Sequence, residues 1–216
     1  MLSKSTANFT IEKLIFETPQ TLIYSKDEEI EIMPGVYSPI FLDFKKMISD
    51  PQARSIIVKQ LITFIKKNKP DIICGVESGG SYYASAIADA LNLPLILLRK
   101  ENKNYGNYNR IIGKKPPKNK KILLIDDVLA TGSTLLKAKT YLSTLNCQLE
   151  VLVIFSYGYD KQIGQQIKLT INSLSNFNNL CQIGLQKNIF EPKDINYLKT
   201  HVSSYKEFLS KPFKIA

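Results

Sequence analysis

The segment KKILLIDDVLATGST, residues 120–134, constrains the fold more than any other part of the chain. Its apolar run predicts a buried parallel strand, and Asp126 and Asp127 stand at the carboxyl end of that strand. A small, hydroxyl-rich turn then leads directly into a predicted helix. Ligands of open α/β sheets bind just beyond the carboxyl ends of the strands. We therefore expect both carboxylates in a ligand site.

The turn from Thr131 to Thr134 predicts a phosphate site. Unpaired backbone N–H groups at a helix N-terminus, together with the helix dipole, favour an anion there. Since carboxylates bind hydroxyls or a divalent ion, the acids and the turn together suit a sugar phosphate. The alternative is a turn without a ligand, in which Ser133 only caps the helix. A nucleotide P-loop fits less well, because its Gly-x-x-x-x-Gly-Lys spacing is absent.

Strands and helices alternate along the middle of the chain. Apolar runs typical of buried strands occur at residues 71–74, 94–98, 122–125 and 149–155. A helix is predicted from Asp50-Pro51 through Lys66, and a second from Gly79 to Leu91. This alternation predicts an α/β fold with a mostly parallel sheet flanked by helices. Residues 1–45 and roughly 170–216 do not continue it.

Composition restricts the class of protein. The 216 residues predict one domain, and no apolar run reaches membrane-spanning length. The net charge of +10 raises the possibility of nucleic-acid binding, but the lysines are scattered and few alternate with aromatic residues. We therefore expect no nucleic-acid partner, and a surface that steers small polyanions. The three cysteines are isolated, which is typical of buried thiols in a reducing cytoplasm.

Four segments carry a resemblance to a known family. Residues 126–134 resemble the phosphoribosyl-pyrophosphate (PRPP) motif of type I phosphoribosyltransferases. GVYSPIFLD at 35–43 resembles the N-terminal segment of orotate phosphoribosyltransferases, and RKENKNYG at 99–106 resembles their mobile catalytic loop. IFSYG at 154–158, followed by Leu169-Thr170, is similar to the C-terminal strands of the bacterial branch. The resemblance runs from about Phe16 to Phe208.

The resemblance implies a fold, a reaction and partners. It implies a single domain with a hood at about residues 1–45, a core at about 46–170 and a C-terminal helical edge at about 171–216. The implied reaction joins orotate to PRPP with Mg²⁺, giving orotidine 5′-monophosphate and pyrophosphate. The implied enzyme is a cytoplasmic homodimer with shared active sites.

The resemblance also implies roles for individual residues. Catalytic roles fall on Lys103, Asp126 and Asp127, with the metal held through PRPP and water rather than by direct ligands. The implied PRPP-binding residues are Arg99, Lys100, Lys103, Tyr105, Asp126, Asp127, Val128, Leu129, Ala130, Thr131, Gly132, Ser133 and Thr134. The implied pyrophosphate loop is Glu77, Ser78, Gly79 and Gly80, where the glycines would allow close backbone approach or a positive φ. Orotate contacts are implied for Ile40, Phe41 and Ala130.

Two departures keep the identity of the base open. Ala130 stands where orotate enzymes commonly have Thr or Ser, and Met33 stands where some carry a lysine. A purine phosphoribosyltransferase is therefore one alternative, and a non-catalytic PRPP-binding regulator of the same fold is another. The long segment from Arg99 to Lys120 is either a charged hairpin or a lid that closes over the polyphosphate.

Overall fold

The computed structural model describes residues 11–25, 28–33, 35–100 and 110–210. Its N-terminal part contains short elements, namely α1 (Ile11–Glu17), β1 (Leu22–Tyr24), β2 (Ile30–Met33), β3 (Val36–Ser38) and β4 (Ile40–Leu42). β1 pairs with β4 and β2 pairs with β3, both antiparallel, so two small sheets lie outside the main one. A 3₁₀ helix at Phe44–Ser49 then leads into the core.

The core is a six-stranded sheet with the order β10-β9-β8-β5-β6-β7. Its strands are β5 (Ile72–Val76), β6 (Leu95–Leu98), β7 (Ile111–Ile112), β8 (Lys121–Leu129), β9 (Gln148–Ser156) and β10 (Thr170–Asn176). All neighbouring pairs are parallel except β6 with β7. The predicted mostly parallel sheet is thus confirmed. The central strands β5, β8 and β9 are largely buried, as their apolar runs require.

Helices cover the sheet. They are α2 (Pro51–Asn68), α3 (Gly79–Leu91), α4 (Ser133–Leu142), α5 (Asp160–Ile167), α6 (Phe177–Gln186) and α7 (Pro192–Ser210). The predicted start of α2 is confirmed, because Asp50 Oδ1 accepts hydrogen bonds from the backbone N–H groups of Gln52 and Ala53 at 2.8 and 3.1 Å. The predicted bounds of α3 are confirmed as well.

The prediction that the alternation ends near residue 170 is wrong. β10 continues the sheet as an edge strand paired in parallel with β9. Its sequence TINSLSN is mostly polar, because an edge strand has only one neighbour and stays partly exposed to solvent. β8 also extends beyond its predicted end at residue 125, so Asp126 and Asp127 are strand residues.

The described N-terminal elements contact the segment between α6 and α7. Phe190 makes edge-to-face contacts with Phe16 and Tyr24, at ring-centroid distances of 5.7 and 5.2 Å. The Tyr159 hydroxyl donates to the Val202 carbonyl at 2.7 Å, which fixes α7 to the segment after β9. The elements from both ends of the chain are therefore anchored to the body that carries the strand ends.

Candidate active site

Asp126 and Asp127 lie at the carboxyl edge of the sheet. Asp126 is buried, with 7% of its surface exposed, and its Oδ1 accepts a hydrogen bond from the Asp127 N–H at 3.0 Å. Asp127 Oδ1 accepts from the Val128 N–H at 2.9 Å. Each bond holds a carboxylate against the backbone of the residue that follows it, and both acids line the same cavities.

Burial raises the pKa of Asp126 well above its ordinary value, and the adjacent Asp127 carboxylate raises this pKa further. Two carboxylates this close in a partly dry site repel each other. Hydroxyl donors or positive charge would relieve that repulsion. The two carboxylates therefore suit a ligand that supplies hydroxyl donors or positive charge.

The turn after β8 has the geometry of an anion site. Gly132 caps α4 with a φ of +76°, and its carbonyl accepts from the Leu136 N–H at 2.9 Å. The first N–H groups of α4 have no partner within the helix and face the same edge as the acids. Ser133 is the first residue of α4 and makes no side-chain capping bond, so the capping alternative does not hold.

The predicted pyrophosphate loop packs directly against the acidic strand. Gly79 and Gly80 open α3 and neither has a positive φ, so close backbone approach is the alternative that remains. A methyl group on Gly79 would overlap the Asp127 carboxylate, and one on Gly80 would overlap the Ile125 carbonyl. These glycines are required because the loop and β8 lie so close. Glu77, Ser78 and Gly79 then line a space shared with both acids.

Two cavities border the acids, and a third adjoins them at Thr134. The large cavity, of about 200 Å³, lies between the acidic strand end and the N-terminal segment, with Phe41 and Tyr157 in its wall. The central cavity, of about 100 Å³, lies between the acids and the Glu77–Gly79 loop. The basic cavity, of about 140 Å³, is lined by Lys100, Arg110 and Lys137, and by hydroxyl residues of the α4 turn. The three form one cleft.

A guanidinium fixes the backbone beside the basic cavity. Arg110 donates to the Arg99 carbonyl from Nε at 3.0 Å and from Nη2 at 2.8 Å. It also donates to the carbonyls of Lys100 at 2.9 Å and Lys137 at 3.2 Å, and it lies over the Tyr141 ring. Lys100 is thereby held where it lines both the central cavity and the basic cavity. Sequence reasoning missed Arg110, because nothing local marks a residue whose partners lie on two other segments, the end of β6 and α4.

The predicted site residues are largely brought together. All nine residues from Asp126 to Thr134 line the large cavity, and Phe41 faces them from β4. Ile40 is fully buried in the core and does not line the cavity, contrary to its predicted role. Lys103 and Tyr105 lie outside the described residues. Among the wall residues, Lys45 and Tyr157 were missed as site residues, although Tyr157 belongs to the IFSYG motif.

Comparisons with known proteins agree with this geometry. A mostly parallel sheet with paired acids and an anion-binding turn at its carboxyl edge defines the type I phosphoribosyltransferase fold. The crystal structure of orotate phosphoribosyltransferase from Aeropyrum pernix has the same fold, with a TM-score of 0.69 at 20% identity over 80% of this chain and 97% of that one. The family model for the phosphoribosyl transferase domain matches residues 45–180.

Sequence comparison with curated relatives identifies the branch of the family to which the chain belongs. An orotate phosphoribosyltransferase of Listeria innocua is 31% identical over 170 residues, covering 76% of this chain and 81% of the relative. One from Staphylococcus aureus is 32% identical over 169 residues, covering 76% and 83%. This chain belongs to the phosphoribosyltransferase family, in its orotate phosphoribosyltransferase branch.

No helix among the described residues has the length and apolar character needed to cross a bilayer.

Proposed function

We propose that this protein transfers ribose 5-phosphate from PRPP to orotate, giving orotidine 5′-monophosphate and pyrophosphate in pyrimidine biosynthesis. One observation carries the proposal. Asp126 and Asp127, the helix turn at residues 131–134 and aromatic and aliphatic side chains all line one cavity of about 200 Å³. A sugar phosphate that carries a planar base needs these three features side by side.

We propose one orientation for PRPP in the cleft. Its 5′-phosphate accepts hydrogen bonds from the backbone of the turn at residues 131–134, where the dipole of α4 favours an anion. The ribose hydroxyls then donate to Asp126 and Asp127, which relieves the repulsion between the two carboxylates. The pyrophosphate extends into the central cavity, toward the Glu77–Gly80 loop and Lys100.

The charges of the cleft favour departure of pyrophosphate. As the C1′–O bond breaks, positive charge develops on the ribose beside the carboxylates, and negative charge grows on the leaving group. Lys100 lies on the leaving-group side, and we assign Arg99, Lys103 and Tyr105 to the same task. The base nitrogen then bonds to C1′ from the large cavity. No protein nucleophile is needed, since positioning and electrostatics account for the reaction.

Mg²⁺ is the proposed cofactor. The described residues contain no cluster of three or more metal-ligating side chains, yet two neighbouring carboxylates suit an ion that keeps most of its waters. Asp126 and Asp127 would hold it through water and PRPP. Bound in this way, the ion would neutralise charge on the departing pyrophosphate.

The base preference is tested by measuring pyrophosphate release with PRPP, Mg²⁺ and each of orotate, uracil, adenine, hypoxanthine and guanine. We expect orotate to give the highest kcat/KM. A purine in first place would support the purine phosphoribosyltransferase alternative. Binding of PRPP without turnover of any base would support the regulator alternative.

We further propose a cytoplasmic homodimer in which Lys103 acts in the neighbouring subunit's site. The test mixes Lys103→Ala subunits with subunits that carry Asn at positions 126 and 127. Each parent alone should be nearly inactive. The mixture should recover activity, because one hybrid site contains both intact parts. No recovery after verified subunit exchange contradicts the shared site.

A further inference from the structure

We propose that Lys45 binds the carboxylate of orotate and thereby makes the site selective for a carboxylated pyrimidine. The proposal rests on the proposed function and names a residue that reads the base. Four features of the cleft support it: the charge of the walls, the position of Lys45, the rigidity of its backbone and the chemistry of orotate.

The large cavity holds little positive charge. Among the described residues that line it, Lys45 is the only lysine or arginine, and three lining residues are acidic: Asp43, Asp126 and Asp127. An anionic base entering this cavity meets carboxylates on one side and apolar walls on the other. Without a nearby cation, burying its carboxylate there would be costly. Lys45 can supply that charge.

Lys45 lies at the boundary between two cavities. It lines both the large and the central cavity, together with Asp126, Asp127, Val128 and Thr134. In the proposed orientation this boundary is where C1′ of the ribose reacts. Orotate is uracil with a carboxylate on C6, the ring atom adjacent to the nitrogen that bonds to C1′. The carboxylate of a reacting orotate must therefore lie near this boundary, and not deep in the cavity.

The backbone of Lys45 is held in place while its ammonium remains available. Lys45 belongs to the 3₁₀ helix between the fully buried side chains of Phe44 and Met47. Its N–H donates to Asp43 Oδ1 at 3.2 Å, and the Asp43 N–H donates to the Thr21 carbonyl at 2.8 Å. The Lys45 ammonium is 3.9 Å from Asp43 Oδ1, and the side chain is 53% exposed. A pair this long, in which the lysine is exposed, gives way easily to a closer carboxylate.

The experiment compares two nucleotides that differ only in this carboxylate. Orotidine 5′-monophosphate and UMP are titrated calorimetrically into the full-length wild type and into Lys45→Met, which removes the charge and keeps the length. The matched control is Lys46→Met, since Lys46 is an exposed neighbour outside the cavities. Lys45→Arg tests whether the charge alone is sufficient.

We expect Lys45→Met to raise the Kd of orotidine 5′-monophosphate about 10- to 100-fold and that of UMP by no more than about twofold, as for loss of a charged hydrogen bond. Lys46→Met should change neither value, and Lys45→Arg should retain most of the difference. An equal loss for both nucleotides, or no loss, overturns the proposal for Lys45. If wild type turns over a purine and not orotate, the proposed function fails first.

Discussion

At the phosphate end of the cleft the wall comes from one continuous segment, residues 126–135, whereas the wall facing the base comes from separate parts of the chain. Ile32 comes from β2, Phe41 from β4 and Tyr157 from the segment after β9. The phosphate end presents mainly backbone groups at the start of α4. The base end presents mainly side chains. In the proposed orientation of the substrate, the first end would bind any ribose 5-phosphate and the second would distinguish the bases.

The two ends also differ in how tightly they are fixed. Beside the phosphate end, a methyl group on Gly79 would overlap the Asp127 carboxylate and one on Gly80 the Ile125 carbonyl, and at this end one on Gly132 would lie 2.6 Å from Ile163 Cγ2. At the base end, Lys45 and the half-buried Phe41 keep part of their surface in solvent. We therefore expect substitutions at the phosphate end to affect every base equally, and substitutions at the base end to alter preference.

The largest effect is expected at the acids. Replacing Asp126 and Asp127 together by Asn keeps their size and removes the charge that, in the proposed complex, would face the ribose and the metal-bound water. We expect kcat/KM to fall at least about 100-fold, or roughly 2.7 kcal/mol of transition-state stabilisation. The loss should be similar for orotate and for any weaker base. Steady-state kinetics with a circular dichroism check of folding measure it, and near-normal activity in a folded double variant would contradict the assigned site.

Arg110 should have the next largest effect. Arg110→Ala removes the hydrogen bonds to the carbonyls of Arg99, Lys100 and Lys137, so Lys100 is no longer held at the cleft. We expect kcat/KM for PRPP to fall about 10-fold, or roughly 1.4 kcal/mol. Arg110→Lys should lose nearly as much, since an ammonium cannot reproduce the planar fork.

The exposed Lys114 provides the control for Arg110, because Lys114→Ala removes the same charge from the same stretch of chain. The control should leave the kinetics unchanged. Full activity in Arg110→Lys would show that positive charge at this position is sufficient and that the planar guanidinium with its several hydrogen bonds is not required.

The acids should also lower the stability of the ligand-free protein. The pKa of Asp126 is higher in the folded state than in the unfolded chain, because burial and Asp127 oppose its ionisation. Between the two pKa values the native state binds more protons, so stability falls as the pH rises through that interval. Asp126→Asn should therefore stabilise the protein at pH 7.5 by about 1–2 kcal/mol, and much less near pH 4.

Thermal unfolding of wild type and Asp126→Asn at both pH values measures this difference. A change of about 1 kcal/mol corresponds to a shift of roughly 2–4 °C in Tm for a chain of this size. An Asn variant less stable than wild type at pH 7.5 would mean that the Asp126 carboxylate stabilises the fold. The acids would then have a structural role as well as the proposed role in the site.

The same contrast explains what sequence reasoning can find. The positions of the acids near the end of β8 and of the turn before α4 are predicted correctly, because a buried strand, two acids and a helix start follow one another within residues 120–134. Lys45 and Arg110 are missed because their importance depends on which distant segments fold beside them. Ile40 is predicted at the base but belongs to the core, and β10 is missed because an edge strand needs no apolar run. Local order in the chain is visible in sequence, and assembly between segments is not.

The smallest effect is expected at Ala130, where the two ends of the cleft meet. Ala130 lines the large cavity at the end of β8, and Thr or Ser is common at this position in orotate enzymes by resemblance. Ala130→Thr adds a hydroxyl that can make at most one hydrogen bond to the base. If side chains of the base end distinguish the bases, this bond does not change which base is preferred. We expect kcat/KM for orotate to change by only about 0.5–1.5 kcal/mol and orotate to remain the preferred base. The measurement is the five-base panel repeated on the variant, with Ala130→Val as a control that adds a similar volume without the hydroxyl. If the preferred base changes in the Thr variant alone, residue 130 in the segment 126–135 determines base preference, and the side chains of the base end do not.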